Sequence, residues 1–181
     1  MSSGEHAVRQ QPDETRDNPL RIEAAKAEEI AGALNTDLAN AYVLFHQLHK
    51  HHWNVAGAEH LTVHRFLQEA YEAVEAAADE LAERVQTLGG VPHARMTALA
   101  SASTVDPEDE TVYDVRTSLG HDLDVYGEII EGYREHVSLA HDLGDFGTEE
   151  MLRQQLLTLE EHAHVLDHFL EDDTLVTEDA L

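Results

Sequence analysis

The segment VHRFLQEAYEAVEAAADELAERVQTLGG, residues 63–90, has the periodicity of one long amphipathic helix. Its apolar residues recur at steps of three and four, which places them on one face of an α-helix. They are Val63, Leu67, Ala70, Val74, Ala77, Leu81, Val85 and Leu88. The Gly89–Gly90 pair followed by Pro92 is a typical C-terminal signal. The segment therefore predicts a helix over about residues 60–88 that buries one face.

Three further stretches show the same periodicity and predict helices over about residues 21–55, 108–141 and 146–171. The third of the four helices is expected to start near Asp106–Pro107, because a capping residue, a proline and three acidic residues follow one another there. Residues 89–109 form a long connection with a short helix near Met96–Ser101, and the other connections are short. Strand-like alternation is absent. One long crossover between the second and third helices suits an all-α, ferritin-like four-helix bundle.

The bundle is expected to span residues 21–175, between a polar arm at 1–20 and a tail at 176–181. The arm has no apolar run, which predicts disorder and argues against a secretory leader. No stretch approaches the length of a membrane span. We therefore expect a soluble, cytoplasmic protein.

The chain is strongly acidic, with 37 Asp and Glu against 11 Lys and Arg and a formal charge of -26. Such a charge repels itself in ordinary salt, whereas in molar salt the Debye length falls to about 3 Å. The composition is typical of a halophile. It also argues against direct DNA binding, which depends on Lys and Arg at phosphates.

Histidines and carboxylates are the only strong metal ligands here, since the chain has no cysteine. His52 follows Leu48 by four residues, so it is expected in phase with the core of the first helix. Taken alone, His52 is more simply a buried, hydrogen-bonded histidine than a ligand.

The face of the second helix opposite its apolar stripe carries a histidine among carboxylates: His64, Gln68, Glu72, Glu75, Asp79 and Glu83. Acidic outer faces are ordinary in an acidic protein, which is the simpler interpretation. Fifteen residues separate His64 from Asp79, or about 22 Å along a helix, so one chain cannot place both on one ion. Two antiparallel copies related by a two-fold axis near Glu72 would bring His64 of one copy close to Asp79 and Glu83 of the other.

The stretch HHWNVAGAEHLTVHRFLQEAYEAVEAAADELAERVQTLGG, residues 51–90, resembles the signature of the Dps family, the miniferritins, and in particular the Dps proteins of halophilic archaea. The likeness runs from about residue 21 to 175. It implies a dodecameric shell of four-helix subunits with a ferroxidase site at each two-fold interface. Such sites oxidise Fe(II), with hydrogen peroxide or dioxygen, and the ferric product is stored as mineral inside the shell.

The resemblance implies that His52 and His64 of one subunit meet Asp79 and Glu83 of its partner. The family usually has an aspartate one turn after the second histidine, where this chain has Gln68, a weaker ligand for a hard cation. Glu72 and Glu75 lie on the same arc and are candidates to compensate or to nucleate mineral. The lysine-rich tail that the family commonly uses on DNA is missing.

A second histidine cluster lies in the fourth helix, where His164 and His168 share a face. They are either exposed polar positions or an iron entry site at a three-fold axis. Two rivals to a ferroxidase stay open. One is a nucleoid protein with little oxidation chemistry, and the other is a structural bundle whose histidines only pack.

Overall fold

The computed structural model describes residues 7–12 and 14–171, which form helices and connections without any strand. The helices are α1 (Ala24–Asn54), α2 (His60–Thr87), α3 (Met96–Ala102), α4 (Val115–Leu143) and α5 (Phe146–Leu170). The prediction of an all-α bundle of four long helices is confirmed. The short helix expected within the crossover is α3.

The four long helices pack as two pairs, α1 on α2 and α4 on α5, and α1 also packs on α4. Polar pairs inside the bundle show that α1 and α4 run antiparallel, since Asp37 bonds His136 and Gln47 bonds Asp122. The apolar stripes meet in one core, in which each fully buried leucine contributes about 1.5–3 kcal/mol. Its largest fully buried members include Leu34, Leu44, Leu67, Leu81, Tyr126, Leu152 and Leu166. None of the described helices combines the length and apolarity needed to cross a bilayer.

The start predicted for the third long helix, near residue 108, is wrong, because α4 begins at Val115. Asp114 caps it, and its Oδ1 accepts a hydrogen bond from the Thr117 backbone N–H at 3.0 Å. Glu108 instead accepts hydrogen bonds from Lys50 and His51 at the end of α1. These tertiary contacts hold residues 103–114 across the bundle in place of another helical turn.

The predicted disorder of residues 1–20 does not extend to the segment that leads into α1. The Arg16 backbone N–H donates to the Gly89 carbonyl at 2.9 Å, and the Gln10 side chain donates to the same oxygen at 2.8 Å. Gly89 has a φ of 88°, and a Cβ there would overlap the Arg16 carbonyl oxygen. The glycine that ends α2 thus also provides the docking point for the N-terminal segment. Residues 1–6, 13 and the predicted tail at 176–181 lie outside the described residues.

Candidate metal centre

The end of α1 and the start of α2 bring His52 and His64 together, although twelve positions separate them in the chain. Their rings stack with centroids 3.7 Å apart and an interplanar angle of 18°. The two helices are antiparallel and joined by a short connection, so these positions face each other directly. Both side chains are half-buried, which leaves them reachable from the surface.

Reciprocal hydrogen bonds fix the tautomers of the two imidazoles. His52 Nδ1 lies 3.0 Å from the His64 carbonyl oxygen, and His64 Nδ1 lies 3.0 Å from the His52 carbonyl oxygen. A carbonyl only accepts, so each Nδ1 must carry the proton and donate it. In the neutral form of each ring, Nε2 then keeps a lone pair. Locking one ring nitrogen on a backbone carbonyl is how metal-binding histidines are usually oriented.

Aromatic side chains enclose the pair on the α1 side. The Tyr71 ring lies edge-on to His52 at 5.2 Å and contacts His49 at 3.8 Å. Trp53 is 69% exposed and stacks on His49 at 5.1 Å. Burial is the main cause that lowers the pKa of His49. The His49 ring packs between the rings of Tyr71 and Trp53.

The residues predicted for the polar face of α2 are on the surface of the chain. Gln68, Glu72, Glu75, Asp79 and Glu83 are all exposed, and the Gln68 amide donates to Glu72 Oε1 at 2.8 Å. The separation along α2 keeps Asp79 and Glu83 far from His64 within one chain. Across the described residues, no three histidine or carboxylate side chains are grouped to hold a metal ion. One chain thus brings two candidate imidazole ligands together and places its candidate carboxylates elsewhere.

The expectation that His52 continues the buried stripe of α1 is wrong by one position. The buried residues near the end of α1 are Leu44, Gln47, Leu48 and His51, while His52 lies at the edge. His51 Nδ1 lies 2.9 Å from both carboxylate oxygens of the fully buried Asp122.

The His51 ring is clamped at both nitrogens, since its Nε2 lies 2.8 Å from Glu108. Burial alone would lower the pKa of His51, but hydrogen bonds and charges from Asp122 and Glu108 raise it overall. The sequence assigned His51 no role. The only local indication that His51 is buried is its spacing of four residues from Gln47, which places both on one face of α1. Their partners Asp122 and Glu108 are distant in the sequence and come close only in the folded chain.

On α5, His164 and His168 are exposed and face each other, with their Nε2 atoms 3.1 Å apart. The contact is a hydrogen bond in which one Nε2 carries the proton and the other accepts it, so a metal ion would bind both nitrogens only by displacing that proton. Glu161, which precedes His164 by one turn, is also exposed. His164 and His168 lie in the α4–α5 pair of helices, whereas His52 and His64 lie in the α1–α2 pair. The two histidine clusters are therefore separate.

Comparison with known proteins places the chain among ferritin-like proteins. The ferritin-like domain family model matches residues 31–176. The chain is 60% identical over 162 residues to the DNA protection during starvation protein of Halobacterium salinarum, covering 90% of this chain and 89% of that protein. The solved structure of an archaeal Dps homologue from that organism matches with a TM-score of 0.92 and 56% identity, covering 99% of this chain and all of the other.

More distant relatives also match most of the chain. A nutrient stress-induced DNA-binding protein of Nostoc is 36% identical over 159 residues, covering 88% of this chain and 86% of that protein. The Dps structure from Vibrio cholerae, described as a member of a superfamily of ferritin-like diiron-carboxylate proteins, matches with a TM-score of 0.81 and 27% identity. That match covers 85% of this chain and 96% of the other.

Proposed function

We propose, because the chain belongs to the Dps family of ferritin-like proteins, that it is a ferroxidase that stores and detoxifies iron. The substrate is Fe(II), and the oxidant is hydrogen peroxide or dioxygen. The ferric product collects as mineral inside a hollow shell built from two-fold dimers, with twelve subunits as the resemblance implies. The observation that carries the proposal is the reciprocal locking of His52 and His64, which leaves two neighbouring Nε2 lone pairs.

The catalytic site proposed here is shared by two subunits. His52 and His64 of one subunit bind Fe(II), and Asp79 and Glu83 of the partner complete the ligand set. Imidazoles suit Fe(II), and carboxylates favour the harder Fe(III) product. Two Fe(II) ions give one electron each to one hydrogen peroxide, its O–O bond breaks, and with two protons the oxygens leave as two waters. This pairing avoids the one-electron step that yields hydroxyl radical.

A subunit-mixing experiment tests whether the site spans two chains. His52→Ala/His64→Ala subunits and Asp79→Ala/Glu83→Ala subunits should each assemble and each fail to oxidise Fe(II). When the two are co-assembled at random, half of the two-fold dimers are mixed and each mixed dimer has one intact site, so about a quarter of the parent rate should return. A site within one chain predicts no recovery at all.

The matched control is His46→Ala/Asp124→Ala, which removes one exposed histidine and one exposed carboxylate elsewhere. It should retain the parent rate. A purely structural role for the histidines predicts that His52→Ala/His64→Ala oxidises Fe(II) as fast as this control.

Gln68, Glu72 and Glu75 are proposed to contact iron outside the ligand set formed by the two histidines of one subunit and the two carboxylates of its partner. Gln68 stands where the family usually has an aspartate, and its amide donates to Glu72, so Gln68 orients the Glu72 carboxylate. Glu72 and Glu75 would then compensate as ligands or seed mineral. Glu72→Gln/Glu75→Gln should lose iron loading, and unchanged mineral growth would exclude this role.

His164 and His168 are proposed as an iron entry position, supported by the 3.1 Å separation of their Nε2 atoms. A three-fold axis would gather three such pairs. Crystals soaked in Fe(II) should show an anomalous peak at His168, and a soaked crystal without that peak would leave these histidines as exposed polar residues.

DNA binding is the second candidate function, favoured by the description of the Nostoc relative. We propose instead that this chain does not bind DNA directly, since its charge of -26 opposes contact with phosphates. Protection of DNA would come from removing iron and peroxide in the cytoplasm. A gel-shift titration in the salt of the host cytoplasm should show no retarded band, and a salt-sensitive retarded band would favour the DNA-binding function.

A further inference from the structure

His60, the first residue of α2, repeats the arrangement seen in His52 and His64. Its side chain is exposed, and its Nδ1 lies 2.8 Å from the Val55 carbonyl oxygen. The carbonyl can only accept, so Nδ1 carries the proton, and in the neutral ring Nε2 keeps its lone pair. Neither the composition nor the helical pattern of the sequence distinguishes this histidine from the other exposed ones.

The three imidazoles lie in series. The His60 ring centroid is 5.0 Å from that of His64, and the His64 centroid is 3.7 Å from that of His52. Within the described part of the chain, each of the three rings uses Nδ1 on a backbone carbonyl, and none has a hydrogen bond at Nε2. Exposure falls along the series, from the exposed His60 to the half-buried His64 and His52.

We infer that His60 is an outer docking ligand for Fe(II), which it passes to the His64–His52 pair. This inference rests on the proposed function, because it assumes that the inner pair binds iron. A single imidazole with water in the remaining positions binds a divalent first-row metal weakly, which suits a position that must release its ion. The neighbouring His64 ring is close enough to receive the ion before it returns to bulk water.

The hydrogen bond from His60 to Val55 also closes the connection between α1 and α2, so a purely structural role must be separated from metal binding. His60→Asn makes that separation, because the asparagine amide sits near the position of Nδ1 and can still donate to the Val55 carbonyl. The variant has no counterpart of Nε2. His46→Asn is the matched control. It removes an exposed imidazole from α1, six residues before His52.

The first experiment is an anaerobic Fe(II) soak of crystals of the assembled protein, with anomalous data collected at the iron edge. A peak is expected at ligand distance from His60 Nε2, at lower occupancy than the peak at His52 and His64. The outer peak should vanish in His60→Asn while the inner peak stays. An inner peak without an outer one in the parent would overturn the docking role alone, whereas a crystal without either peak would count against the proposed function itself.

The second experiment measures initial Fe(II) oxidation rates as a function of Fe(II) concentration. His60→Asn should raise the half-saturating Fe(II) concentration about tenfold, the lower end of the loss seen when a group around a metal site is removed. The rate at saturating Fe(II) should stay at the parent value, as should both parameters in His46→Asn. Equal half-saturation in His60→Asn and the parent would overturn the inference, and so would a lower saturating rate without any change in half-saturation.

Discussion

Asp37 on α1 and His136 on α4 form a buried pair. We predict that Asp37→Asn reverses the pH dependence of the contribution that His136 makes to the free energy of unfolding. His136 Nδ1 lies 2.8 and 2.9 Å from the two oxygens of Asp37, which is 1% exposed. Burial raises the pKa of Asp37 more than His136 lowers it. Burial alone would lower the pKa of His136, but the hydrogen bond and charge of Asp37 raise it overall.

These directions fix how the free energy of unfolding responds to pH. A group whose pKa is raised by folding stabilises the folded state below its unfolded pKa, and that contribution is lost as pH rises through the folded pKa. For His136 the loss therefore begins near its ordinary pKa of about 6.5 and continues upward. The raised pKa of Asp37 acts in the same direction at more acidic pH. Their joint contribution to the free energy of unfolding therefore falls as pH rises.

Asp37→Asn should reverse the contribution of His136. Without the carboxylate, burial dominates and the imidazole stays neutral in the folded state, so this contribution now increases as pH rises. The variant should be less stable than the parent by about 3 kcal/mol near pH 6, the low end for breaking a buried ion pair because His136 is partly exposed. Above the folded pKa of His136 the variant loses a hydrogen bond from the neutral imidazole to a carboxylate, but it also no longer buries that charge, so the gap should shrink to about 1 kcal/mol.

The assay is urea unfolding in molar KCl at fixed subunit concentration, followed by circular dichroism across the range from about pH 6 to about pH 9. Asp124→Asn on the exposed face of α4 is the control, since it changes the net charge by the same amount without touching a buried pair. The quantity to compare is the difference between each variant and the parent. If that difference for Asp37→Asn stays constant with pH, the reasoning about this pair is refuted.

Three further substitutions, at two glycines and one helix cap, give predictions that the same unfolding assay checks. Gly89→Ala should cost at least about 1–2 kcal/mol, because φ is 88° and the new Cβ overlaps the Arg16 carbonyl, and limited proteolysis should then cut the N-terminal segment faster. A Gly89→Ala protein as stable and resistant as the parent would contradict that docking contact. Gly127→Ala should stabilise α4 by about 0.5–1 kcal/mol, since nothing lies within 4 Å of the new Cβ, and a loss of stability would mean that another subunit packs there. Asp114→Ala should lower the urea midpoint through the lost cap on Thr117, whereas an unchanged midpoint would show that α4 does not depend on this cap.

The four long helices and the short helix of the crossover followed from the sequence because their signals are local. A helix with one apolar face is encoded in three- and four-residue spacing, and the Gly89–Gly90 pair marks the end of α2 without reference to any other element. The same local logic placed His64 and the carboxylates on the outer face of α2. It also showed that one chain could not bring Asp79 to His64, because helix length alone sets that distance.

Contacts between distant elements decided the rest. Residues 106–110 have good helix-starting chemistry, but Glu108 is held by Lys50 and His51, so the chain stays non-helical until Asp114 caps α4. In the last turn of α1, His51 points inward because the buried Asp122 accepts a hydrogen bond from its ring. His52 is therefore left at the edge of the core, against His64. Periodicity cannot separate these neighbouring positions, since both lie near the edge of the apolar arc. The choice between them is made by hydrogen-bond partners that lie more than 50 residues away in the chain.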